Sequence, residues 1–343
     1  MTAPRERYDA LLFDLDGTLF RGGTALPGAP EALAEVAELG CRIGYLTNNG
    51  SRNAGQVVEH LRALGFAADE SEVVTSGQAA ARLLADRLQP GDAVLVVGSK
   101  ALAGEVTSAG LTIADRAEQA SAVLQGHSPD TGWRDLAEAC LAIRAGAVWV
   151  ATNVDATLPD ERGELPGNGS MVAALVTATE SEPLVAGKPE AALFDEAVRR
   201  AEAQRPLMVG DRLETDIAGA NAVGMPSLLV LTGVSDAAAV LAAPEALRPS
   251  YLGADLTALR TDSDRLRPTA QAPWRASRAG DELRLELDPD AAPELAEAAD
   301  PVDALRTLCA AHWAGGGGRP GKVTAKGSAA AGALHTLGLT EGG

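Results

Sequence analysis

Two aspartates one residue apart, at the end of an aliphatic run, are the first residues in this 343-residue chain whose spacing suggests chemistry. In DALLFDLDGTLF (9–20), Leu11, Leu12 and Phe13 belong in a buried strand, and Asp14 and Asp16 follow directly. Residues i and i+2 of a strand point to the same side, so the two carboxylates project together at the strand's carboxyl end, where Gly17 lets the backbone turn. Buried carboxylates are costly unless paired or metal-bound. A divalent cation would neutralise them, and Mg²⁺ suits hard oxygen ligands that work beside substrate phosphates. Alternatively, mutual repulsion raises one pKa and leaves a nucleophilic carboxylate beside a protonated acid; both readings can hold at once. Alone, DxDG is equally a surface turn.

Three further places add to the pair. Thr47, Asn48 and Asn49 close the predicted strand CRIGYLT (41–47), where a hydroxyl and amides could hold phosphate oxygens. Lys188 stands in AGKPEAALF, with Pro189 at an expected first helical position, so an ammonium and a helix N-terminus would face one anion. Asp211 ends the strand PLMVG, and Asp216 follows at the start of a helix; one acid could ligate metal while the other braces it from behind.

Composition narrows what these groups can meet. The net charge of −18, from 29 Lys and Arg against 47 Asp and Glu, and an aromatic share of 3% argue against a nucleic acid or an anionic membrane as partner. An anionic small molecule can still bind where a metal, a lysine or helix N-termini make a local positive spot. Cys41, Cys140 and Cys309 are odd in number and widely spaced, which suggests neither disulfides nor zinc and fits a reducing compartment. MTAPRERYDA has no apolar core of an export signal, and no apolar stretch approaches a membrane span, so a cytoplasmic location is expected.

The elements that must position the site alternate in the manner of a parallel α/β sheet. Strands are predicted over 9–14, 41–47, 93–98, 122–126, 147–152, 206–210 and 226–232, and the helical segments EALAEVAELG and QVVEHLRALG each stop at a glycine. Past Arg265 the character changes. RPTAQAPWRASR (267–278) reads as a linker, DELRLELD as an edge strand or hairpin arm, ELAEAADPVDALRTLCAAHWA as helix broken near Pro301, and GGGGRPGK (315–322) as a flexible loop.

DLDGT (14–18), LTNN (46–49), GKP (187–189) and GDRLETD (210–216), in this order and at strand ends, closely resemble the four signature motifs of the haloacid dehalogenase superfamily of phosphatases, over roughly residues 8–262. The resemblance implies an α/β fold: a Rossmann-like doubly wound parallel sheet core (1–80 and 182–264) with an inserted α/β cap (81–181). A linker (265–278) and a small α+β C-terminal module (279–343), similar to a fragment of an acetyltransferase, complete the expected order. It also implies that Asp14 is the nucleophile forming an aspartyl-phosphate and Asp16 the general acid and base. Thr47, Asn48 and Lys188 would hold the phosphoryl group, and Mg²⁺ would be bound by Asp14, the carbonyl of Asp16 and Asp211, with Asp216 behind them. A transferring phosphoryl group needs positioning and charge neutralisation above all, so the chemistry is coherent.

The cap resembles the branch containing phosphoglycolate, pyridoxal-phosphate and nitrophenyl-phosphate phosphatases, through ATNVDATLPDERGELPGNGSMVAAL (151–175). Its loops would choose the leaving group, with Asn153, Asp155, Asn168, Ser170 and His127 as candidate contacts; each is also an ordinary loop or capping residue. Trp133 and Trp149 read as cap core. The implied reaction is Mg²⁺-dependent hydrolysis of a small phosphomonoester, with glycerol 3-phosphate preferred over phosphoglycolate, pyridoxal phosphate or nitrophenyl phosphate. Phosphotransfer to a sugar and an inactive phosphometabolite-binding protein are the competing readings, and Asp16 disfavours a dehalogenase. The C-terminal piece reads as a structural or homodimer-forming appendage.

Overall fold

A computed structural model describes residues 2–160, 162–292, 294 and 299–340. The chain forms two compact units, one of residues 1–43 with 203–343 and one of residues 44–202. In the first unit four parallel strands pair in the order Tyr251–Gly253, Ser227–Val230, Pro206–Gly210, Ala10–Asp14. Their Leu, Val and Met side chains are almost fully buried, as in a sheet covered on both faces. Phe13 stands opposite Val209 and Val209 opposite Leu228. Asp14, Asp211 and the loop after Val230 therefore leave the sheet at one carboxyl edge, where open parallel sheets bind ligands.

The rest of this unit is C-terminal. Trp274–Ala279 pairs antiparallel with Glu282–Leu287, which pairs parallel with Lys322–Lys326; helices Pro301–Ala314 and Ser328–Thr336 accompany them. Glu282–Leu287 is thus a hairpin arm, but the central strand of three and not an edge. The expected linker is also shorter, because Trp274 onwards is strand. There Trp274 is buried beside Leu283 and Leu285, and that burial outweighs the local turn composition. Pro301 begins a helix at its first turn, where a missing N–H costs nothing, and Asp300 caps Val302. Residues 293 and 295–298, part of the helix expected before Pro301, lie outside the described residues.

One hydrophobic cluster joins Leu229, Val240, Leu241 and Leu252 to Trp274, Leu285, Leu305, Leu308 and Cys309. Buried Arg306 donates to the Leu252 carbonyl at 3.0 Å and pairs with buried Asp303, so its charge is compensated inside that core. The C-terminal module is therefore built into its unit.

The second unit contains most of the strand Arg42–Thr47, paired parallel with Val73–Thr75, and a five-stranded parallel sheet. Its order is Leu184–Val185, Val148–Ala151, Ala122–Gln125, Ala93–Val97, Thr112–Ala114. Helices Lys100–Ser108, Trp133–Arg144 and Asn168–Thr179 accompany this sheet, the first capped by Ser99, whose Oγ accepts from the Leu102 N–H. Leu184–Val185 lies just past the expected cap boundary at 181, since a two-residue strand beside Pro183 carries no periodicity. Trp149 is buried, as expected of cap core. Trp133 is not: it is 80% exposed at the first turn of its helix, while Ala139, Ala142 and Ile143 face the core. Among the described residues no helix is long and apolar enough to cross a membrane.

Candidate active site

Three carboxylates converge in the first unit. One oxygen each of Asp14, Asp211 and Asp216 lies within 4.8 Å of the others; Asp14 is half-buried and the other two are buried. Gly17, at a φ of 91°, closes the turn by donating its N–H to the Phe20 carbonyl at 2.7 Å. A Cβ on Gly17 would stand 2.5 Å from the Asp211 carboxylate, and one on Gly233 would overlap it, so the acid is clamped between two backbones that only glycine permits. The Val234 N–H donates to Asp211 Oδ2 at 2.7 Å, and the Ser235 N–H to the Asp211 carbonyl at 3.1 Å. Thr18 Oγ1 donates to Asp211 Oδ1 at 3.4 Å, and the Arg212 N–H to Asp216 Oδ2 at 3.1 Å.

Asp16 is different. Its carboxylate is exposed, stands outside the cluster of three, and accepts from the Gly22 N–H at 3.4 Å. It is thereby available for proton transfer, while the two buried acids are held in place. The donor set of the cluster is entirely carboxylate oxygen, which matches a small hard cation such as Mg²⁺ and no soft metal. A cation among three acids this close would offset their mutual repulsion.

In the second unit the strand pairing Thr47 with Thr75 sends Asn48 and Ser76 out together, and Ser76 Oγ donates to the Asn48 carbonyl at 2.7 Å. Thr47 Oγ1 accepts from the Asn49 N–H at 3.0 Å, which leaves its own proton to donate. The pairing of Ala151 with Val185 places Asn153 and Lys188 just beyond neighbouring strand ends. The Asn48 side chain accepts from the Lys188 N–H at 2.8 Å, donates to the Lys188 carbonyl at 3.1 Å, and reaches Asp155 Oδ2 at 3.4 Å. Asn153 Nδ2 donates to the Asn48 carbonyl at 2.7 Å.

One expectation changes here. Pro189 does not begin the helix: Ala191–Arg200 starts two residues later, with Glu190 as its N-cap. The side-chain donors of Asn168 and Ser170 turn on loop carbonyls, those of Asn153 and Ala156, each at 2.7 Å. Of the candidate leaving-group contacts, Asn153, Asp155 and Asn168 thus join one network with Asn48 and Lys188, Ser170 caps the same loop, and half-buried His127 follows the strand Ala122–Gln125. Thr18, Ser76 and the 233–235 loop were not foreseen as site residues. The Thr of DLDGT was the one available signal, since loop residues that act through backbone N–H groups leave no trace in residue type.

Known proteins resemble most of this chain. Residues 11–112 match the family model of haloacid dehalogenase-like hydrolases, 185–259 a second hydrolase model of the same kind, and 271–339 a GCN5-related N-acetyltransferase-like domain. D-glycerol 3-phosphate phosphatase of Mycobacterium tuberculosis is 50% identical over 314 residues, spanning 91% of this chain and 88% of the relative. A glycerol-3-phosphate phosphatase of Gallus gallus is 41% identical over 251 residues, 66% of this chain and 80% of the relative. The crystal structure of a glycerol phosphate phosphatase from Mycobacterium tuberculosis in complex with magnesium superposes with a TM-score of 0.92 at 48% identity, over 99% of this chain and 100% of that one. With the motifs, the acid cluster and the fold in agreement, the chain belongs to the haloacid dehalogenase-like hydrolases.

Proposed function

We propose that this protein is a Mg²⁺-dependent phosphatase that hydrolyses glycerol 3-phosphate to glycerol and phosphate through an aspartyl-phosphate on Asp14. The observation that carries the reading is the Asp14, Asp211 and Asp216 cluster at the sheet's carboxyl edge, in a chain half identical to a D-glycerol 3-phosphate phosphatase. Asp14, Asp211 and the Asp16 carbonyl would hold the ion, with Asp216 adjoining; when bound, Mg²⁺ supplies charge that offsets the acids and the phosphoryl oxygens. Asp14 attacks phosphorus as the bond to the glycerol oxygen breaks, and Asp16 gives that oxygen its proton. Asp16 then takes a proton from water, which attacks the same phosphorus and frees the Asp14 carboxylate. Thr47, Lys188 and the turn at Asn48 carry the phosphoryl oxygens, and Asp155 is the cap residue best suited to a polyol hydroxyl.

The same reading assigns 1–80 with 186–264 to the catalytic core, 81–185 to the cap and the sheet and helices from Trp274 onwards to a structural module. It places the enzyme in the cytoplasm, acting on a small phosphorylated metabolite, with a homodimer as the assembly to check by light scattering. The substrate is tested by kcat/KM for both glycerol 3-phosphate enantiomers, phosphoglycolate and pyridoxal phosphate. A glycerol 3-phosphate enantiomer should lead; phosphoglycolate ahead by about tenfold, a difference one good polar contact can make, would reject the named substrate.

A further inference from the structure

The hydrogen bonds around Lys188 lead from its main chain back through three asparagines. Asn48 uses both ends of its side-chain amide on the main chain of Lys188, accepting from the N–H and donating to the carbonyl, as a neighbouring strand would. This pairing needs Gly187: a Cβ there would stand 2.7 Å from Asn48 Oδ1 and 2.6 Å from the Thr152 carbonyl. The carbonyl of Asn48 is in turn fixed by Ser76 Oγ and Asn153 Nδ2, both at 2.7 Å. The carbonyl of Asn153 accepts from Asn168 Nδ2 at 2.7 Å, and Asn153 Oδ1 accepts from the Asp155 N–H at 3.2 Å. Asn153, Asn168 and Lys188 are each at most 7% exposed, so a broken link strands a buried polar group at a cost larger than the bond's own net worth.

We propose that Asn168, Asn153 and Asn48 form a positioning relay that fixes the main chain of Lys188, and with it the origin of its ammonium, from the first residue of the cap helix Asn168–Thr179. The inference rests on the reading that Lys188 binds the phosphoryl group, and it changes the expected part of Asn153 and Asn168 from choosing the leaving group to orienting a phosphate ligand. The two roles separate experimentally. A leaving-group contact discriminates between alcohols, whereas a misplaced phosphate ligand penalises every phosphomonoester alike and weakens inorganic phosphate as a competitive inhibitor.

The experiment uses the full chain with Asn153→Ala, Asn168→Ala and the near-isosteric Asn48→Asp, which keeps the acceptor for the Lys188 N–H and sets an oxygen against the Lys188 carbonyl. kcat and KM are measured with glycerol 3-phosphate and with nitrophenyl phosphate, together with inhibition by phosphate. The relay predicts that kcat/KM falls by about ten- to a hundredfold in each variant, as misplacement near an ångström does, by the same factor for both substrates, with phosphate inhibition weakened in parallel. Losses that differ by tenfold or more between the two substrates, or kcat/KM at the wild-type value, would overturn it. If an alanine variant does not fold, as judged by circular dichroism, the near-isosteric Asn168→Asp, which sets an oxygen against the Asn153 carbonyl away from the phosphate turn, decides by the same criteria. Lys188→Ala tests the underlying reading separately: wild-type activity and phosphate inhibition there would remove the phosphate role of Lys188, whereas an inactive Lys188→Ala beside fully active asparagine variants would remove the relay alone.

Discussion

The two polar corners of the molecule are built on opposite plans. In the first unit, three carboxylates crowd within 4.8 Å, and Asp211 and Asp216 are held by backbone N–H groups and one hydroxyl. In the second, the neutral side-chain amides of Asn168, Asn153 and Asn48 hold in turn the main chains of Asn153, Asn48 and Lys188. The first gathers negative charge that a cation would offset; the second is a network of neutral amides around the main chain of a lysine. Acids gather charge for a metal, and amides hold a backbone still. The two corners should therefore fail differently.

The largest effect is expected from Gly233→Ala, because the new methyl group overlaps the Asp211 carboxylate at 1.9 Å and must displace it from the cluster. Activity should fall by about a hundredfold or more, the penalty of displacing a catalytic group by an ångström, with the Mg²⁺ concentration for half-maximal rate raised. An unchanged Mg²⁺ titration would break the contrast between the corners. Gly187→Ala should cost less, about tenfold in kcat/KM, because its methyl group meets the Thr152 carbonyl and Asn48 Oδ1 at 2.6 and 2.7 Å and does not overlap them as at Gly233. Its Mg²⁺ titration should match wild type while phosphate inhibition weakens; the reverse pattern would place Gly187 with the metal.

The smallest effect concerns stability. Burial pushes the Glu196 carboxyl up, but hydrogen bonds from Arg199 and Arg200 outweigh it and hold the group below its usual range. A carboxylate depressed on folding contributes stability above its unfolded value, roughly 4.3, and loses it as pH falls through the folded value. Thermal scans of Glu196→Gln against wild type should therefore show a Tm gap at pH 7 that closes in acid. A gap that widens on acidification would contradict the sign.

Much of the first corner was legible beforehand. Asp14, Asp211 and Asp216 are named by residue type and by the aliphatic strands that end at two of them. What was missed is carried by backbone: the Val234 and Ser235 N–H groups could be any residue's, and only the space their neighbour Gly233 leaves betrays the crowding. The second corner was named, but not its hydrogen-bond partners. Asparagines at loop positions look alike whether they meet a substrate or a carbonyl, and only coordinates separate the two. The same limit explains Val73–Thr75, too short to show a period, and Trp274–Ala279, a strand whose turn-like composition hides a buried tryptophan.

The central claim is that Asp14 carries the phosphoryl group. Rapid acid quench during turnover of glycerol 3-phosphate with Mg²⁺, followed by peptide mass spectrometry, tests it most directly. The account predicts a phosphorylated peptide whose modification maps to Asp14, formed before phosphate appears and absent in Asp14→Asn, which should also release no phosphate. Full-rate phosphate release by Asp14→Asn, or a phosphoryl group on another residue, would contradict it.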